Sequence, residues 1–209
     1  MERGRTRARK VSAIVLAAGT SQRMGFPKLG LKLRGRGLLE RVLDSALASN
    51  VDEIVLVLSP ETVAPAEARS DPRVRAVINR GPESGQSGSL RLGLQSIDPG
   101  SQAAIFLLGD QPLVTSDVID ALIAHHQATG KAIVASSYGG RRGSPVLFER
   151  SLFGELLALE GDTGGREIIA RHGEQLATVE VGAPEAGSDI DTWDDYMALR
   201  RQLEGTDNG

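Results

Sequence analysis

Short runs of apolar residues alternate along the chain with longer segments in which apolar residues recur at helical spacing. The run at 11–16 is rich in β-branched residues and ends at a Gly/Ser/Thr cluster, which is typical of a parallel strand buried on both faces. The segment 38–48 repeats its apolar residues every three or four positions, which predicts an amphipathic helix. The same patterns predict further strands at 53–58, 74–78, 103–108, 132–136, 145–148 and 177–181, and further helices at 89–97, from 115 or 116 onward, at 152–159, 165–172 and 193–203.

This alternation of buried strands and amphipathic helices predicts an α/β fold with three layers and a mostly parallel, Rossmann-like sheet. A glycine- and arginine-rich stretch at 139–143 breaks the rhythm and is interpreted as an insertion. The 209 residues are expected to form a single domain over 11–203, flanked by a flexible basic segment at 1–10 and a flexible tail at 204–209. Ligands of such sheets bind at the carboxyl ends of the strands, so the loops after the strands are where chemistry is expected.

The charge balance argues against binding to nucleic acid or to an anionic membrane, because 24 Lys and Arg residues are matched by 27 Asp and Glu residues and leave a net charge of -3. No apolar stretch reaches the length of a membrane span. The chain has no cysteine, which excludes disulfides, thiolate metal sites and cysteine nucleophiles. That composition fits a reducing compartment, and a cytoplasmic location is expected.

The first candidate site is the loop after the strand at 11–16, which reads Leu16-Ala17-Ala18-Gly19-Thr20-Ser21-Gln22-Arg23-Met24-Gly25-Phe26-Pro27-Lys28. Small residues let backbone N–H groups approach phosphates, and Arg23 and Lys28 supply positive charge suited to a triphosphate. The spacing matches neither a Walker A loop nor a dinucleotide-binding fingerprint. On its residues alone, the loop is equally well explained as a tight turn with surface cations.

Two acidic segments are candidates for a metal site. Gly109-Asp110-Gln111-Pro112 directly follows a predicted strand, and a carboxylate there can hold Mg²⁺ against phosphate oxygens, although a simple β-turn is the alternative. Asp189 and Asp191 lie one residue apart on an extended segment, so only one is expected to aim inward while the other stays solvated. Capping of the last helix by Thr192 or Asp191 is the alternative role of this second segment.

Two further segments are candidates for substrate contacts. Gln86 and Ser87 precede the helix predicted at 89–97, and Ser89 begins it; all three can hydrogen-bond the edge of a base, with a flexible, serine-capped loop as the alternative. Arg142 and Arg166 lie in glycine-rich segments and can grip an acceptor phosphate, with solvated surface arginines as the alternative. The three histidines lie in helical contexts without ligand spacing, and we expect them to be exposed and to have no role.

Taken together, these motifs resemble the MobA-like NTP transferases, which include the molybdenum cofactor guanylyl- and cytidylyltransferases. The first loop matches the family pattern Leu-Ala-(Ala/Gly)-Gly-x-Ser-x-Arg-Met-Gly-x-x-Lys, and the two acidic segments are similar to the family's Gly-Asp-x-Pro and Asp-Ile-Asp-Thr-x-x-Asp motifs. The resemblance extends from residue 11 to about 203. Ala18, Gln111 and the segments around Arg142 and Arg166 are similar to the CTP-using, MocA-like branch.

The resemblance implies a fold like that of the nucleotide-diphospho-sugar transferases, with a nucleotide-binding part at about 11–137 and an acceptor-binding part at about 138–203. It also implies Mg²⁺-dependent (or Mn²⁺-dependent) transfer of CMP from CTP to the phosphate of molybdopterin, which gives molybdopterin cytosine dinucleotide and pyrophosphate. A molybdenum hydroxylase of the xanthine dehydrogenase kind is the implied recipient. Use of GTP, another phosphorylated acceptor such as a sugar, or a non-catalytic role as a cofactor carrier remain open alternatives.

The resemblance assigns a role to each candidate residue. Arg23, Lys28 and Asp110 are expected to be catalytic, and Asp110 and Asp191 are expected to hold the metal ion. The nucleotide is expected to contact Leu16, Ala17, Ala18, Gly19, Arg23, Lys28, Gln86, Ser87 and Ser89. The acceptor is expected to contact Arg142 and Arg166.

Overall fold

The computed structural model describes residues 10–19, 24, 28–81, 85–161, 164–182 and 184–205. The strands are β1 Val11–Ala17, β2 Lys32–Leu33, β3 Arg36–Gly37, β4 Glu53–Leu58, β5 Val74–Ile78, β6 Ala103–Leu108, β7 Ile133–Tyr138, β8 Arg141–Glu149 and β9 Leu176–Gly182. The α-helices are α1 Leu38–Ala48, α2 Glu67–Ser70, α3 Gly85–Ser96, α4 Ser116–Thr129, α5 Phe153–Leu157, α6 Arg166–Arg171 and α7 Trp193–Gly205. The predicted bounds of α1, β4, β5 and β6 are confirmed to the residue.

Seven strands form one sheet in the order β5-β4-β1-β6-β8-β7-β9. Every pairing in it is parallel except those of β8, which is antiparallel to both β6 and β7, so the prediction of a mostly parallel sheet is confirmed. After β1 the chain moves to β4 and β5 on one side and then returns to β6 on the other. Ligands of open α/β sheets bind where the strand order reverses in this way, which places the expected site at the carboxyl ends of β1 and β6.

Apolar side chains pack on both faces of the sheet, and this confirms the predicted three layers. On one face the sheet packs against apolar residues of α1 and α4, and on the other against apolar residues of α3, α5 and α6. Helix α3 lies so close to the sheet that a Cβ on Gly93 would come within 2.4 Å of Cγ2 of Ile14. That glycine therefore sets the distance between α3 and the middle of β1.

A third, smaller apolar cluster joins the last helix to the segment after the first loop. It contains Leu33, Leu38, Ile190 and Tyr196, and the Tyr196 hydroxyl donates a hydrogen bond of 2.8 Å to the backbone oxygen of Lys32. The chain thus returns at its end to the place where it left β1. This contact brings the acidic segment before α7 to the first loop.

The β2–β3 hairpin beneath that cluster is not among the predicted elements. Its turn places Arg34 at φ 50° and Gly35 at φ 80°, and strands joined through two residues with positive φ pair tightly. Strands of two residues are too short to show a hydrophobic period, so the pattern of the sequence does not reveal them.

The predicted flexible termini lie outside the described residues, apart from Lys10 and the end of α7. Lys10 Nζ forms an ion pair of 2.6 Å with Asp98. Helix α7 continues to Gly205 and so overlaps the start of the predicted tail. Among the described helices, none is both long enough and apolar enough to cross a bilayer.

Candidate active site

The loops after β1 and β6 are joined by a backbone hydrogen bond. The N–H of Gly109 donates to the carbonyl oxygen of Leu16 at 2.9 Å. A Cβ on Gly109 would lie 3.1 Å from Cβ of Ala17 and 3.2 Å from that same oxygen, so a larger residue would push the two loops apart. Because Gly109 precedes Asp110, the small residue fixes where the acidic side chain begins.

Three of the predicted site residues come together here. Nζ of Lys28 lies 2.7 Å from Oδ2 of Asp110 and 2.9 Å from Oδ1 of Asp191. The two carboxylate oxygens therefore cannot be more than 5.6 Å apart, which is the sum of those two distances. Residues 28, 110 and 191 are far apart in the chain, and the fold brings them to one point. The side chain of Lys28 is only 11% exposed, whereas that of Asp191 is 41% exposed, so the cluster opens to solvent on the Asp191 side.

Asp191 reaches this point because residues 184–192, which we call the strap, cross from the β9 edge of the sheet back to β1. Gly187 of the strap packs on the ring of Tyr138, where an added Cβ would lie 2.4 Å from Cδ2. Further along, the N–H of Ile190 donates to the carbonyl oxygen of Asp110 at 3.1 Å. The strap is thus fixed at the ends of both β7 and β6 before Asp191 meets Lys28.

The end of the strap is also the cap of α7, as one of the alternatives predicted. The Thr192 Oγ1 accepts a hydrogen bond of 3.2 Å from the N–H of Asp195, and Oδ2 of Asp195 accepts one of 2.7 Å from the N–H of Thr192. This reciprocal pair is a capping box, which fixes the entry of the chain into the helix. Capping by Thr192 and the inward aim of Asp191 therefore coexist.

A buried glutamine connects the two acidic segments. Gln111 is 3% exposed, and its Nε2 donates to the carbonyl oxygen of Gly187 at 3.0 Å and to Oδ1 of Asp189 at 2.8 Å. Its Oε1 is buried and has no hydrogen-bond partner among the described residues. Asp189 was expected to stay solvated; it keeps part of its surface exposed but is hydrogen-bonded through Gln111 to the loop that carries Asp110.

The charges of the cluster shift two pKa values. Burial alone lowers the pKa of Lys28, but the hydrogen bonds to Asp110 and Asp191 outweigh it and raise that pKa above its ordinary value. Burial raises the pKa of Asp189, and the nearby negative charge of Asp110 raises it further. The ammonium group is therefore firmly charged, and it neutralises a site that carries an excess of carboxylates.

The donor set suits a divalent ion that arrives together with phosphates. In the part of the chain that the structure describes, no group of three or more Asp, Glu or His side chains is placed to hold a metal ion. The described site offers a smaller set, the carboxylates of Asp110 and Asp191, whose Lys28-bound oxygens lie within 5.6 Å of each other. Mg²⁺ is usually bound by one or two carboxylates plus substrate phosphates and water, rather than by a complete protein cage. Asp110 and Asp191 fit that pattern.

The residues predicted to contact the nucleotide base differ in exposure. Ala18 is 5% exposed and packs in the apolar cluster on the α3 side of the sheet. Gln86 is exposed at the start of α3, but Ser87 is fully buried and Ser89 is 8% exposed. The Ser89 hydroxyl accepts a hydrogen bond of 3.0 Å from Nδ2 of Asn79, a residue that the sequence patterns did not single out. Contact of these residues with a base stays a prediction.

The other residues predicted in the first loop also have defined surroundings where they are described. The Leu16 carbonyl is occupied by Gly109, and the Ala17 side chain is 2% exposed in the core. Gly19 is exposed, and a Cβ added to it would meet no described atom within 4 Å. Arg23 lies outside the described residues, and its catalytic role stays a prediction.

The two arginines predicted to bind the acceptor lie on different loops. Arg142 is exposed at the start of β8, in the turn between β7 and β8. That turn is held by Glu180 of β9, which accepts hydrogen bonds from the Ser137 hydroxyl at 2.6 Å and from the N–H of Gly140 at 3.2 Å. The same hydrogen bonds lower the pKa of Glu180. These hydrogen bonds connect β9 to the turn just before Arg142, which pairs with Ser137 at the start of β8.

Arg166 begins α6, directly after a loop that packs against the start of α3. A Cβ on Gly164 would lie 2.6 Å from Oε1 of Gln86, and the N–H of Ser87 donates to the carbonyl oxygen of Gly161 at 3.3 Å. The loop before Arg166 thus adjoins the segment predicted to bind the base. The described contacts do not link it to the turn that carries Arg142. Acceptor binding by the two arginines together is a prediction.

One expectation about the histidines is wrong. His126 is fully buried in α4, and its Nδ1 lies 2.9 Å from the carbonyl oxygen of Lys131. Nε2 of His172 lies 2.7 Å from Oε1 of Glu155. His126 lies four residues after Leu122 and seven after Ile119, so the helical period places it on the apolar face of α4 that packs against the sheet.

The chain matches the family model of the MobA-like NTP transferase domain over residues 13–176. It is 30% identical over 200 residues to the purine catabolism protein PucB of Bacillus subtilis, covering 91% of this chain and 96% of that protein. It is 27% identical over 196 residues to nicotine blue oxidoreductase of Paenarthrobacter nicotinovorans, covering 90% of this chain and 96% of that protein. A probable molybdenum cofactor guanylyltransferase of Methanosarcina acetivorans is 34% identical over 125 residues, covering 57% of this chain and 53% of that protein.

Several solved structures are similar to this chain in both sequence and fold. Rv0371c of Mycobacterium tuberculosis is 31% identical, with a TM-score of 0.79 and coverage of 93% of this chain and 98% of that one. A complex of Rv0371c with manganese superposes with a TM-score of 0.72 at 28% identity, covering 92% and 98%. Mth528, a nucleotidyl transferase from Methanothermobacter, is 25% identical with a TM-score of 0.79, covering 94% and 99%. Because the family model matches residues 13–176 and these solved structures share the fold, the chain belongs to the MobA-like NTP transferase domain family and is a nucleotidyltransferase.

Proposed function

We propose that the protein transfers CMP from CTP to the terminal phosphate of molybdopterin, with or without bound molybdenum, and releases pyrophosphate. The observation that carries the proposal is the convergence of Asp110 and Asp191 on Lys28 at the carboxyl ends of β1 and β6. Two carboxylates and a fixed cation are suited to a triphosphate with its divalent ion. The resemblance of the motifs to the CTP-using branch supports the choice of nucleotide and acceptor.

The reaction needs no covalent intermediate on the protein. An oxygen of the acceptor phosphate attacks the α-phosphorus of CTP and forms a new P–O bond, while the bond from that phosphorus to the bridging β-phosphate oxygen breaks. The pyrophosphate leaves with the electron pair. A phosphate monoester is largely ionised at neutral pH, so no general base is required. The protein acts by orienting the two substrates and by stabilising charge on the phosphates.

Each named residue has a definite part in this scheme. Asp110 and Asp191 would hold Mg²⁺ or Mn²⁺, which when bound neutralises negative charge on the leaving pyrophosphate. Lys28 provides a positive charge beside both carboxylates, and its pKa keeps it protonated at neutral pH. Arg23 is proposed to add a second positive charge near the triphosphate.

Preference for CTP over GTP is proposed to depend on Ala18. Its side chain packs on the α3 side of the sheet, the same side that carries Gln86 and the buried serines. Its methyl group therefore narrows the space between the end of β1 and the start of α3. One methyl group contributes about 1–3 kcal/mol of discrimination. The Ala18→Gly variant is expected to raise the ratio of GTP to CTP use about tenfold, measured as pyrophosphate release with the two nucleotides in separate reactions.

The acceptor half of the proposal rests on Arg142 and Arg166. Both are exposed and follow the part of the chain that holds the triphosphate. Bidentate hydrogen bonds from arginine to a phosphate would fix the acceptor. A purine-oxidising molybdenum hydroxylase is proposed as the recipient of the product, and the name of the Bacillus subtilis relative, a purine catabolism protein, is in keeping with this.

The experiment that tests the proposal is a reaction of the purified protein with Mg²⁺, molybdopterin and each of the four NTPs in turn, scored for the dinucleotide by mass spectrometry. The expected result is molybdopterin cytosine dinucleotide with CTP and much less product with the other three. Product from GTP alone, or pyrophosphate release with a sugar phosphate but not with molybdopterin, would contradict the proposal. A carrier function predicts that Asp110→Asn delivers finished cofactor as well as the unchanged protein does.

A further inference from the structure

Gln111 lies beside the metal-binding carboxylates, but it is too deeply buried to reach a nucleotide base. Gln111 is 3% exposed, and its Oε1, which has no hydrogen-bond partner within the described part of the chain, has almost no accessible surface. Both hydrogens of its amide group point to the strap, one to the carbonyl oxygen of Gly187 at 3.0 Å and one to Oδ1 of Asp189 at 2.8 Å. Both described hydrogen bonds of the Gln111 side chain are therefore with the segment that carries Asp191.

The strap needs an anchor at this point. On one side Gly187 rests on the ring of Tyr138, and on the other the N–H of Ile190 donates to the Asp110 carbonyl. Residues 188 and 189 lie between these two contacts, and Gln111 holds that interval by its side chain. Gln111 directly follows Asp110 in the chain. The backbone at this point therefore positions the Asp110 carboxylate directly, and it positions Asp191 through the hydrogen bonds of the Gln111 side chain to the strap.

The geometry points to Gln111 as a positioning residue that sets the separation of the Asp110 and Asp191 carboxylates, and so the affinity for the divalent ion, rather than as a residue that reads the base. This inference rests on the proposed function in taking those two carboxylates as the ion-binding pair. Residues that orient metal ligands typically change metal affinity or activity by 10- to 100-fold when they are replaced. Gln111 acts in this way through the strap without touching the ion.

The test compares Mn²⁺ binding to the full chain and its variants, measured from the electron paramagnetic resonance signal of free Mn²⁺, with and without CTP. Gln111→Leu keeps the size of the side chain but removes both donors, and we expect the Kd for Mn²⁺ to rise about tenfold. The matched control is Gln102→Leu, which removes a hydrogen bond of 2.9 Å from an exposed glutamine to the Gly100 carbonyl at the amino end of β6, the end of that strand away from the site. This control is expected to bind Mn²⁺ as the unchanged protein does.

A second pair of variants approaches the same hydrogen bond from Asp189. Asp189→Asn keeps an oxygen that can accept from Gln111, and Asp189→Leu does not. The inference predicts a change in Kd of threefold or less for Asn, about tenfold for Leu, and no further loss when Asp189→Leu is combined with Gln111→Leu. If Gln111→Leu does not fold, as judged by its thermal unfolding, this pair decides. Equal losses in Asn and Leu would make Asp189 itself an ion ligand and would overturn the inference.

The ratio of CTP to GTP use separates positioning from base recognition. Gln111→Leu is expected to lower kcat with both nucleotides and to leave the ratio unchanged. Unchanged Mn²⁺ affinity, or a changed nucleotide ratio with intact Mn²⁺ affinity, would overturn the inference. If the unchanged protein transfers no CMP at all, the proposed function fails, but Mn²⁺ binding still decides the role of Gln111.

Discussion

Lys28 occupies the place between two carboxylates where a divalent ion would sit, and this has a consequence for metal binding. Its Nζ is 2.7 Å from Asp110 and 2.9 Å from Asp191. An ion that binds both oxygens has to displace the ammonium group, because two cations cannot share so small a space. Lys28→Met removes the charge and keeps most of the length of the side chain. We therefore expect this variant to bind Mn²⁺ more tightly than the unchanged protein when no nucleotide is present, although it loses activity.

The size of the effect follows from the exposure of the three groups. A hydrogen bond between charged groups contributes about 1.5–3 kcal/mol when it is shielded from water, and much less when it is exposed. Asp110 is 21% exposed and Asp191 is 41% exposed, so solvent screens the second contact more strongly. We expect the two contacts of Lys28 to contribute about 2 kcal/mol together, and the loss of this competition corresponds to about a 30-fold lower Kd for Mn²⁺. Without metal, the same loss is expected to lower the unfolding temperature of Lys28→Met by about 4–8 °C.

The assay is titration of Mn²⁺ into nucleotide-free protein, with thermal unfolding in EDTA and in Mn²⁺ as the second measurement. Lys32→Met is the matched control, because Lys32 is an exposed lysine four residues further along the chain. Addition of Mn²⁺ is expected to recover most of the lost stability of Lys28→Met and to change Lys32→Met as little as the unchanged protein. Equal or weaker Mn²⁺ binding by Lys28→Met would refute the reasoning, since the ammonium group would then not compete with the ion.

Three further predictions follow from the packing, the turn beside β9 and the rim of the site. Gly93→Ala is expected to destabilise the protein by about 1–3 kcal/mol in urea unfolding, because the added Cβ would lie 2.4 Å from Cγ2 of Ile14. The control is Gly154→Ala in α5, where the added Cβ would meet no described atom within 4 Å. This control should be neutral or stabilising by up to about 1 kcal/mol. Because the pKa of Glu180 is lower in the folded protein than in the unfolded chain, its contribution to the free energy of unfolding is complete above pH 4.5 and is lost as the pH falls through the pKa of the folded state. Glu180→Gln should therefore reduce the dependence of the free energy of unfolding on pH in that acidic range. An unchanged dependence would contradict this. Trp193, the single tryptophan of the chain, is 52% exposed two residues after Asp191, and its fluorescence should change when Mn²⁺ and CTP bind together; a constant signal at saturating ligand would count against binding at this site.

The parts of the fold that the sequence predicts well are those with long, regular patterns. The buried strand at 53–58 and the helix at 38–48 carry enough apolar residues for the period to be unambiguous, and both are confirmed to the residue. The hairpin of β2 and β3 is missed, because two-residue strands have no measurable period and are held by Leu33 and Leu38 in a cluster with the last helix. Burial of His126 could have been predicted, because His126 lies four residues after Leu122 on the apolar face of α4.

The candidate site was likewise predictable from the sequence only in part. The position of Lys28 and Asp110 follows from the rule that parallel strands carry their ligands at their carboxyl ends, and the resemblance adds Asp191. The route by which Asp191 arrives does not follow, because it requires the strap to start at the far edge of the sheet, next to β9. The contact between Gln111 and Asp189 also could not be predicted. The alternation argument predicts that Asp191 aims inward and that Asp189 stays solvated; Asp189 is exposed, but the hydrogen bond that it accepts from Gln111 has no signal in the sequence pattern.

Anomalous diffraction from crystals of the protein grown with Mn²⁺ and CTP would locate the ion directly. We expect an anomalous peak in direct contact with one carboxylate oxygen of Asp110 and one of Asp191, with triphosphate oxygens completing the coordination and Nζ of Lys28 moved away from the ion. A peak that touches neither carboxylate, or only one of them, would contradict this expectation.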